Sequence, residues 1–340
     1  MPPALDPRFR GGDGKCFDAT GSGSRKSPSQ SNAEIIDPIP PLPPGLKEAV
    51  ESGPSLIRMT VAADPFRVEA TDPTGTLSAT SLPAWTGENL MIDLYFWPTG
   101  NGKKVVILLE ELGLPYTIKP INIGRGDQLT PEFLKISPNG RMPAIVDDEP
   151  MGGGTPISIF ESGAVMTYLA EKTGRFCPLD PRGKYEVAQW VAWQLGNQGP
   201  KLGEQGHFRR ALESGNNGDL SYAIRRFDNE THRIYGVMNL GLFNKHYLAA
   251  GEYTIADMIC YPWASSWATR KIDIDEFPNV KGWLEEIGER PAVKKAMAMG
   301  PEFRENPASI SPEEQARRRK LVADQRAQPI PADWIRAAQG

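Results

Sequence analysis

Apolar and polar positions along this chain fall into distinct regimes. Residues 1–58 hold no sustained apolar period and are rich in Pro, Gly and Ser, with PIPPLPPG at 38–45 and GSGS at 21–24. Such a segment buries too little apolar surface to offset its ordering entropy, so a disordered leader is expected there. Met59 offers an alternative start that would leave that leader unmade, and PPLPPG reads either as a polyproline II ligand or as a passive tail. Residues 59–89 mix Phe66, Leu77, Leu82 and Trp85 with turn residues and show no period. Beyond residue 90 the pattern becomes regular.

Short apolar runs bounded by turn residues predict strands at 91–97, 116–122, 143–147 and 157–160, with helices at 102–112 and 162–172, the second carrying Val165, Tyr168 and Leu169 on one face. A parallel pair joined by a helical crossover and then an antiparallel pair is a thioredoxin-like α/β arrangement, βαβαββα, over 90–173. The run Met151-Gly152-Gly153-Gly154 is a loose hairpin connection, too far from a helix start to be a phosphate loop. Over 174–300 the pattern is all helical, and Ile224, Phe227, Thr231, Ile234 and Met238 describe one buried stripe. Thr254-Ile255-Ala256-Asp257 is a capping box with Tyr253 and Met258 placed as a hydrophobic staple, a structural device. A tail follows at 301–340, where Ser311-Pro312-Glu313-Glu314 opens a short helix and Arg317 to Lys320 load its later turns, read as a solvated face rather than a surface for RNA or lipid.

Composition narrows the function. At 340 residues and 39% apolar the chain holds two cores, and a net charge of −4 gives no broad basic surface, so nucleic acid is not an expected partner. No window approaches the roughly 18 apolar residues of a membrane span, and the first residues carry no signal-peptide core, so a soluble cytoplasmic protein is expected. Cys16, Cys177 and Cys260 are widely spaced with no CxxC pair, which reads as buried or incidental thiols. His207, His232 and His246 are too scattered for a metal site, and neither nucleotide-binding glycine motif is present, so no metal and no nucleotide are expected.

The candidate chemistry gathers at helix starts. Asp93 to Glu110 reads as a strand, a tight polar turn holding Thr99 and Asn101, and a helix. Backbone N–H groups and the helix dipole converge on such a joint, where an anion or a thiolate is stabilised. Lys103 and Lys104 add positive potential, although lysines on a first helical turn usually face solvent. Glu161-Ser162 marks a second helix start, readable in isolation as a cap with a surface charge. Tyr95 lies inside the strand, where a packing role is expected.

Several separated motifs, TGNGKK, RGDQLTPEFLKISPNGRMPAIVD, FESGAVMTYLAEKTG, YAIRRF and GEYTIADM, resemble in that order the cytosolic glutathione transferases, and within them the bacterial nu class and its YghU-like disulfide-bond oxidoreductases, whose mark is a TxN turn after the first strand. The resemblance spans roughly Leu90 to Gly300. It implies glutathione as co-substrate, with Thr99 and Asn101 at the sulfur and Glu161 and Ser162 at the γ-glutamyl ammonium and carboxylate. It also implies a cis bond at Pro143, whose neighbour Met142 pairs its backbone with the cysteinyl unit. Arg141 would meet the glycyl carboxylate and Gln128 a polar contact, with Arg226 reaching in from the helical domain; for these three a plain surface role stays open. A homodimer is implied, as is an extended segment over 59–89 that wraps the body.

With no cysteine at the turn, disulfide reduction would use glutathione itself as the attacking thiolate. The expected activity is therefore a glutathione-dependent disulfide-bond reductase with peroxidase activity, acting on a small disulfide, peroxide or electrophile. Conjugating transferase and non-catalytic glutathione-binding regulatory module are the alternatives.

Overall fold

The computed structural model describes residues 92–215, 218–306, 309–323, 325–327, 329–331 and 334, all within one compact unit, Ala79–Gly340. The leader expected over 1–58 and the wrapping segment expected over 59–89 lie outside the described residues.

Strand β1 (Ile92–Phe96) obeys its alternation: Ile92, Leu94 and Phe96 are fully buried, while Asp93 and Tyr95 are half-buried on the other face. It lies inside a four-stranded sheet of order β2-β1-β3-β4. β2 (Tyr116–Pro120) runs parallel to it, β3 (Ala144–Asp147) antiparallel, and β4 (Ile157–Phe160) antiparallel to β3, so that Leu94 stands between Ile118 and Ile145. β2 stops two residues before the expected end, at Pro120, although the Ile121 N–H still donates to the Phe96 carbonyl of β1 at 2.8 Å.

Helix α1 (Gly100–Leu112) is buried from Val105 through Leu109, because the helices α3, α7 and α9 pack against it on different sides. Gly113 closes it in the left-handed conformation, φ 70°, that glycine adopts without steric cost. α3 (Ser162–Thr173) lies beside α1. α2 (Pro131–Ile136) packs on β3 and β4, where Phe133 meets Tyr95 at 5.7 Å between ring centroids. The order is βαβαββα, and Tyr95 does serve packing.

The helical part comprises α4 (Pro181–Trp193), a single π turn (Gln194–Gln198), α5 (Gly199–Glu213), α6 (Ser221–Gly241), α7 (Ile255–Ala264), α8 (Pro278–Gly288) and α9 (Pro291–Ala298). Thr231, Ile234 and Met238 are buried as the stripe on α6 predicts. Ile224 and Phe227 are only half-buried, and Phe227 stacks instead on Phe208 of α5 at 5.4 Å. Both halves of the capping box are present on α7.

Asp257 does more than cap. Its carboxylate accepts from the backbone N–H of Leu248 (2.9 Å) and Thr254 (3.1 Å) and from the Trp283 indole (2.9 Å), tying α7 to α8 and to the preceding loop. Burial nonetheless raises its pKa from 3.8 to about 6. A folded-state value above the unfolded one favours the protonated carboxyl in the folded protein. Stability from this group is therefore complete below about pH 4, is lost as pH rises through about 6 and is level above that. The loss is on the order of 3 kcal/mol. Denaturant titrations from pH 4 to 7 should show this slope in the wild type and not in Asp257→Asn; parallel curves would contradict it.

A second buried charge fastens the sheet. Lys172 of α3 bonds Asp147 at the end of β3, and both side chains are almost fully removed from solvent. Asp147 also accepts from Tyr168 Oη (2.7 Å) and from the Glu149 N–H (3.0 Å), while Tyr168 accepts from the Met151 N–H (3.0 Å). The base of the glycine-rich connection is thereby pinned, and its glycines stay exposed.

Beyond residue 300 the chain returns to the first half. α10 (Pro312–Ala323) begins where the Ser311 hydroxyl accepts from the Glu314 N–H at 3.2 Å, as its sequence predicts. Its basic run is not a uniformly solvated face. Arg318 is folded against Glu305 (2.6 Å) and Glu314 (2.7 Å), and Arg317 against Glu314, leaving Arg319 and Lys320 exposed.

Candidate active site

The turn between β1 and α1 is built around Thr99. Its hydroxyl caps α1 by accepting from the Gly102 N–H at 3.2 Å, and the hydroxyl hydrogen points at the Met142 sulfur, 3.8 Å away. An oxygen whose acceptor side is occupied by the cap offers its hydrogen outward, and here it already faces a sulfur. Gly102 permits this geometry, because a Cβ there would lie 2.3 Å from the Trp97 carbonyl and 2.9 Å from the Phe96 ring.

Asn101 is fixed from the far end of the chain. The Trp263 indole of α7 donates to Asn101 Oδ1 at 2.8 Å. An indole N–H can only donate, so the contact settles which end of the amide is oxygen and leaves the Asn101 NH₂ without an acceptor among the described residues. Arg270 stacks its guanidinium over the same indole at 5.2 Å. Sequence spacing could not have revealed this partner, which lies 162 positions away.

The other candidates join this corner in part. Met142-Pro143 is cis, as the resemblance implies, and among the described residues neither backbone polar group of Met142 is bonded. Asn139 donates to Glu161 Oε1 at 2.9 Å, which draws the loop before Met142 to the head of α3. Glu161 holds a positive φ of 70°, a conformation disfavoured for a non-glycine residue, and makes no side-chain cap. Ser162, the first residue of α3, is buried.

Lys104 corrects the expectation of a solvent-facing lysine. It is 1% exposed and bonds Ser162 and Gln194 from beneath, because α1 is enclosed on several sides. Lys103 likewise folds inward, onto the Met297 carbonyl at 2.6 Å.

Gln128 sits 2% exposed beside the same loop, with its Nε2 on the Ile123 carbonyl at 3.4 Å and its Oε1 without a hydrogen-bond partner among the described residues. Arg141 is exposed and engaged by the tail through Gln325 at 2.7 Å, at the edge of a cavity of about 420 Å³ between the 138–141 loop and residues 325–327 and 329–331. Arg226 is not drawn in: it bonds Glu230 of its own helix at 3.2 Å. Cys260 is fully buried and burial holds its thiol well above the usual range; Cys177 is raised for the same reason. Neither is a thiolate near neutral pH. Cys16 lies outside the described residues.

A sheet of this order, a donor pair at the β1–α1 turn, a cis-proline loop and a serine heading α3, backed by a helical half, are matched among known proteins. The model for the glutathione S-transferase N-terminal domain matches residues 101–172, and that for the C-terminal domain matches residues 226–291. The chain is 46% identical over 207 residues to the disulfide-bond oxidoreductase YfcG of Escherichia coli (strain K12), covering 61% of this chain and 94% of that protein. It is 37% identical over 217 residues to the disulfide-bond oxidoreductase YghU of the same organism, covering 60% and 73%. A glutathione transferase crystal structure from Pseudomonas putida, with one glutathione disulfide bound per protein subunit, is similar with a TM-score of 0.56 and 36% identity, over 64% of this chain and 94% of that one. The chain belongs to the glutathione S-transferase family.

Proposed function

We propose that this protein is a glutathione-dependent thiol-disulfide oxidoreductase that works through bound glutathione rather than through a cysteine of its own. The observation that carries the reading is the head of α1, where the Thr99 hydroxyl lies against the Met142 sulfur and the Asn101 amide, two residues on, is oriented by the Trp263 indole, with both described cysteines buried or half-buried and protonated. Two hydrogen bonds and the α1 N-terminus favour a thiolate over a thiol, and each unit by which they lower its pKa corresponds to about 1.4 kcal/mol.

The ligand lies along the cluster with its sulfur at Thr99 and Asn101 and its cysteinyl backbone against Met142, beside Pro143. Its γ-glutamyl end rests at Glu161 and Ser162, and its glycyl end lies toward Arg141 and Gln128. Arg226 would have to leave Glu230 to reach it. In the reaction the glutathione thiolate attacks one sulfur of a disulfide RSSR, forming the mixed disulfide and releasing RS⁻. A second glutathione thiolate attacks the glutathionyl sulfur of that product, releasing the other RS⁻ and oxidised glutathione. Two glutathiones are oxidised and one disulfide is reduced, and the chain's groups hold the attacking sulfur without changing covalently. Support comes from two relatives described as disulfide-bond oxidoreductases and from a structural neighbour holding glutathione disulfide. Membership of the nu class, a homodimer and a cytoplasmic setting belong to the same reading.

Turnover of a small mixed disulfide should exceed conjugation of a chloronitrobenzene, both measured with glutathione. Conjugation dominating by a large factor would reassign the protein as a conjugating transferase, and binding without either turnover would leave a glutathione-binding module.

A further inference from the structure

Beneath the head of α3 lies a charged group that the sulfur corner does not use. Lys104 Nζ lies 2.5 Å from Gln194 Oε1 and 3.2 Å from Ser162 Oγ. Neither partner carries a charge. Gln194 is held there by the π turn that separates α4 from α5, a local insertion of the kind that recurs at functional sites, and its Nε2 has no hydrogen-bond partner among the described residues. Gly163 lets the head of α3 approach this turn, since a Cβ at that position would stand 2.5 Å from Leu195.

The titratable groups that face Lys104 are few. α7 contributes the Cys260 thiol, which burial keeps protonated, and the head of α3 contributes Glu161, which is exposed and bonded to Asn139. α9, packed on another side of α1, meets Lys103 instead. A lysine so placed has no buried counter-anion among the described residues.

The protonation of this lysine decides what Ser162 can do. An ammonium only donates, so Ser162 Oγ accepts from it and keeps its own hydrogen for a partner outside; a neutral amine presents a lone pair that draws that hydrogen inward. We propose that Lys104 is a positioning residue for the γ-glutamyl carboxylate: protonated, it turns the Ser162 hydroxyl toward the ligand and supplies the charge that the carboxylate balances, so that ligand binding and Lys104 protonation are one coupled event. The inference rests on the placement of that carboxylate at Ser162. Burial lowers the Lys104 ammonium from 10.5 to about 7, so the free protein holds both forms near neutral pH. An arriving carboxylate favours the charged form. Below about pH 7 no proton need move; above it, binding draws one from solvent and weakens by up to about tenfold per pH unit.

S-methylglutathione, which has no thiol to titrate, tests this by calorimetry at pH 6 and pH 8 in buffers of different ionisation enthalpy. The wild type should take up close to one proton at pH 8 and almost none at pH 6. Lys104→Met should bind more weakly with that uptake gone; the ligand's own ammonium contributes equally to both proteins, so the difference belongs to Lys104. Lys104→Arg should restore binding at pH 6 and remove the pH dependence. Wild-type binding of equal strength at both pH values without buffer-dependent heat would overturn the inference and leave the ligand site standing. Absence of wild-type binding would overturn both.

Discussion

Thr99→Val and Asn101→Ala should each lower kcat/KM for disulfide reduction about a hundredfold, ~2.7 kcal/mol, the range seen when one donor to a developing or resident anion is removed. Valine keeps the shape of threonine and loses the hydrogen that now points at the Met142 sulfur. It also removes the acceptor of the Gly102 N–H, so a separate loss of about 1 kcal/mol in stability is expected and must be measured apart from the rate. Alanine at 101 removes the free amide donor and leaves the Trp263 indole without its acceptor. Trp263→Phe keeps both side chains of the corner but releases the amide, and a smaller fall of roughly fivefold should follow, in line with one hydrogen bond of about 1 kcal/mol. In all three the alkaline shift of the bound thiol's titration should track the loss of rate. Rates within a factor of two of wild type in both Thr99→Val and Asn101→Ala would remove the sulfur from this corner.

The largest effect on folding is expected at Lys172. Lys172→Met leaves the Asp147 carboxylate buried with only the Tyr168 hydroxyl and the Glu149 N–H, and breaking one side of such a pair costs about 3–5 kcal/mol. Replacing both partners in Asp147→Leu/Lys172→Met removes the stranded charge, so the double variant should recover much of that loss. Denaturant midpoints of the two singles and the double close the cycle. A double variant as unstable as the sum of the singles would show that the pair does not act as one unit.

Local pattern was sufficient where one residue and its near neighbours settle the matter. The alternation of Ile92, Leu94 and Phe96 and the box from Thr254 to Asp257 each follow from interactions within a few positions. Lys104 reads as a solvent-facing residue from its neighbours along the chain, which say nothing of α7 and α9 closing over α1. The π turn carrying Gln194 has no comparable signature, being an irregularity between two helices. Arg226 and the basic run of α10 show the limit from the other side: both look available in sequence, yet Glu230 occupies the first and Glu305 folds back the central arginine of the second.

The bond from Trp263 to Asn101 has a consequence for how the two halves depend on each other. The first half carries every atom that the proposed reading sets near the sulfur, but its amide takes its orientation from a ring that the second half owns. Severed from α7, that fragment would retain the turn and its hydroxyl while the carboxamide rotated freely, presenting oxygen to the thiolate as readily as nitrogen. Reactivity toward disulfides is thus a property of the assembled pair of lobes.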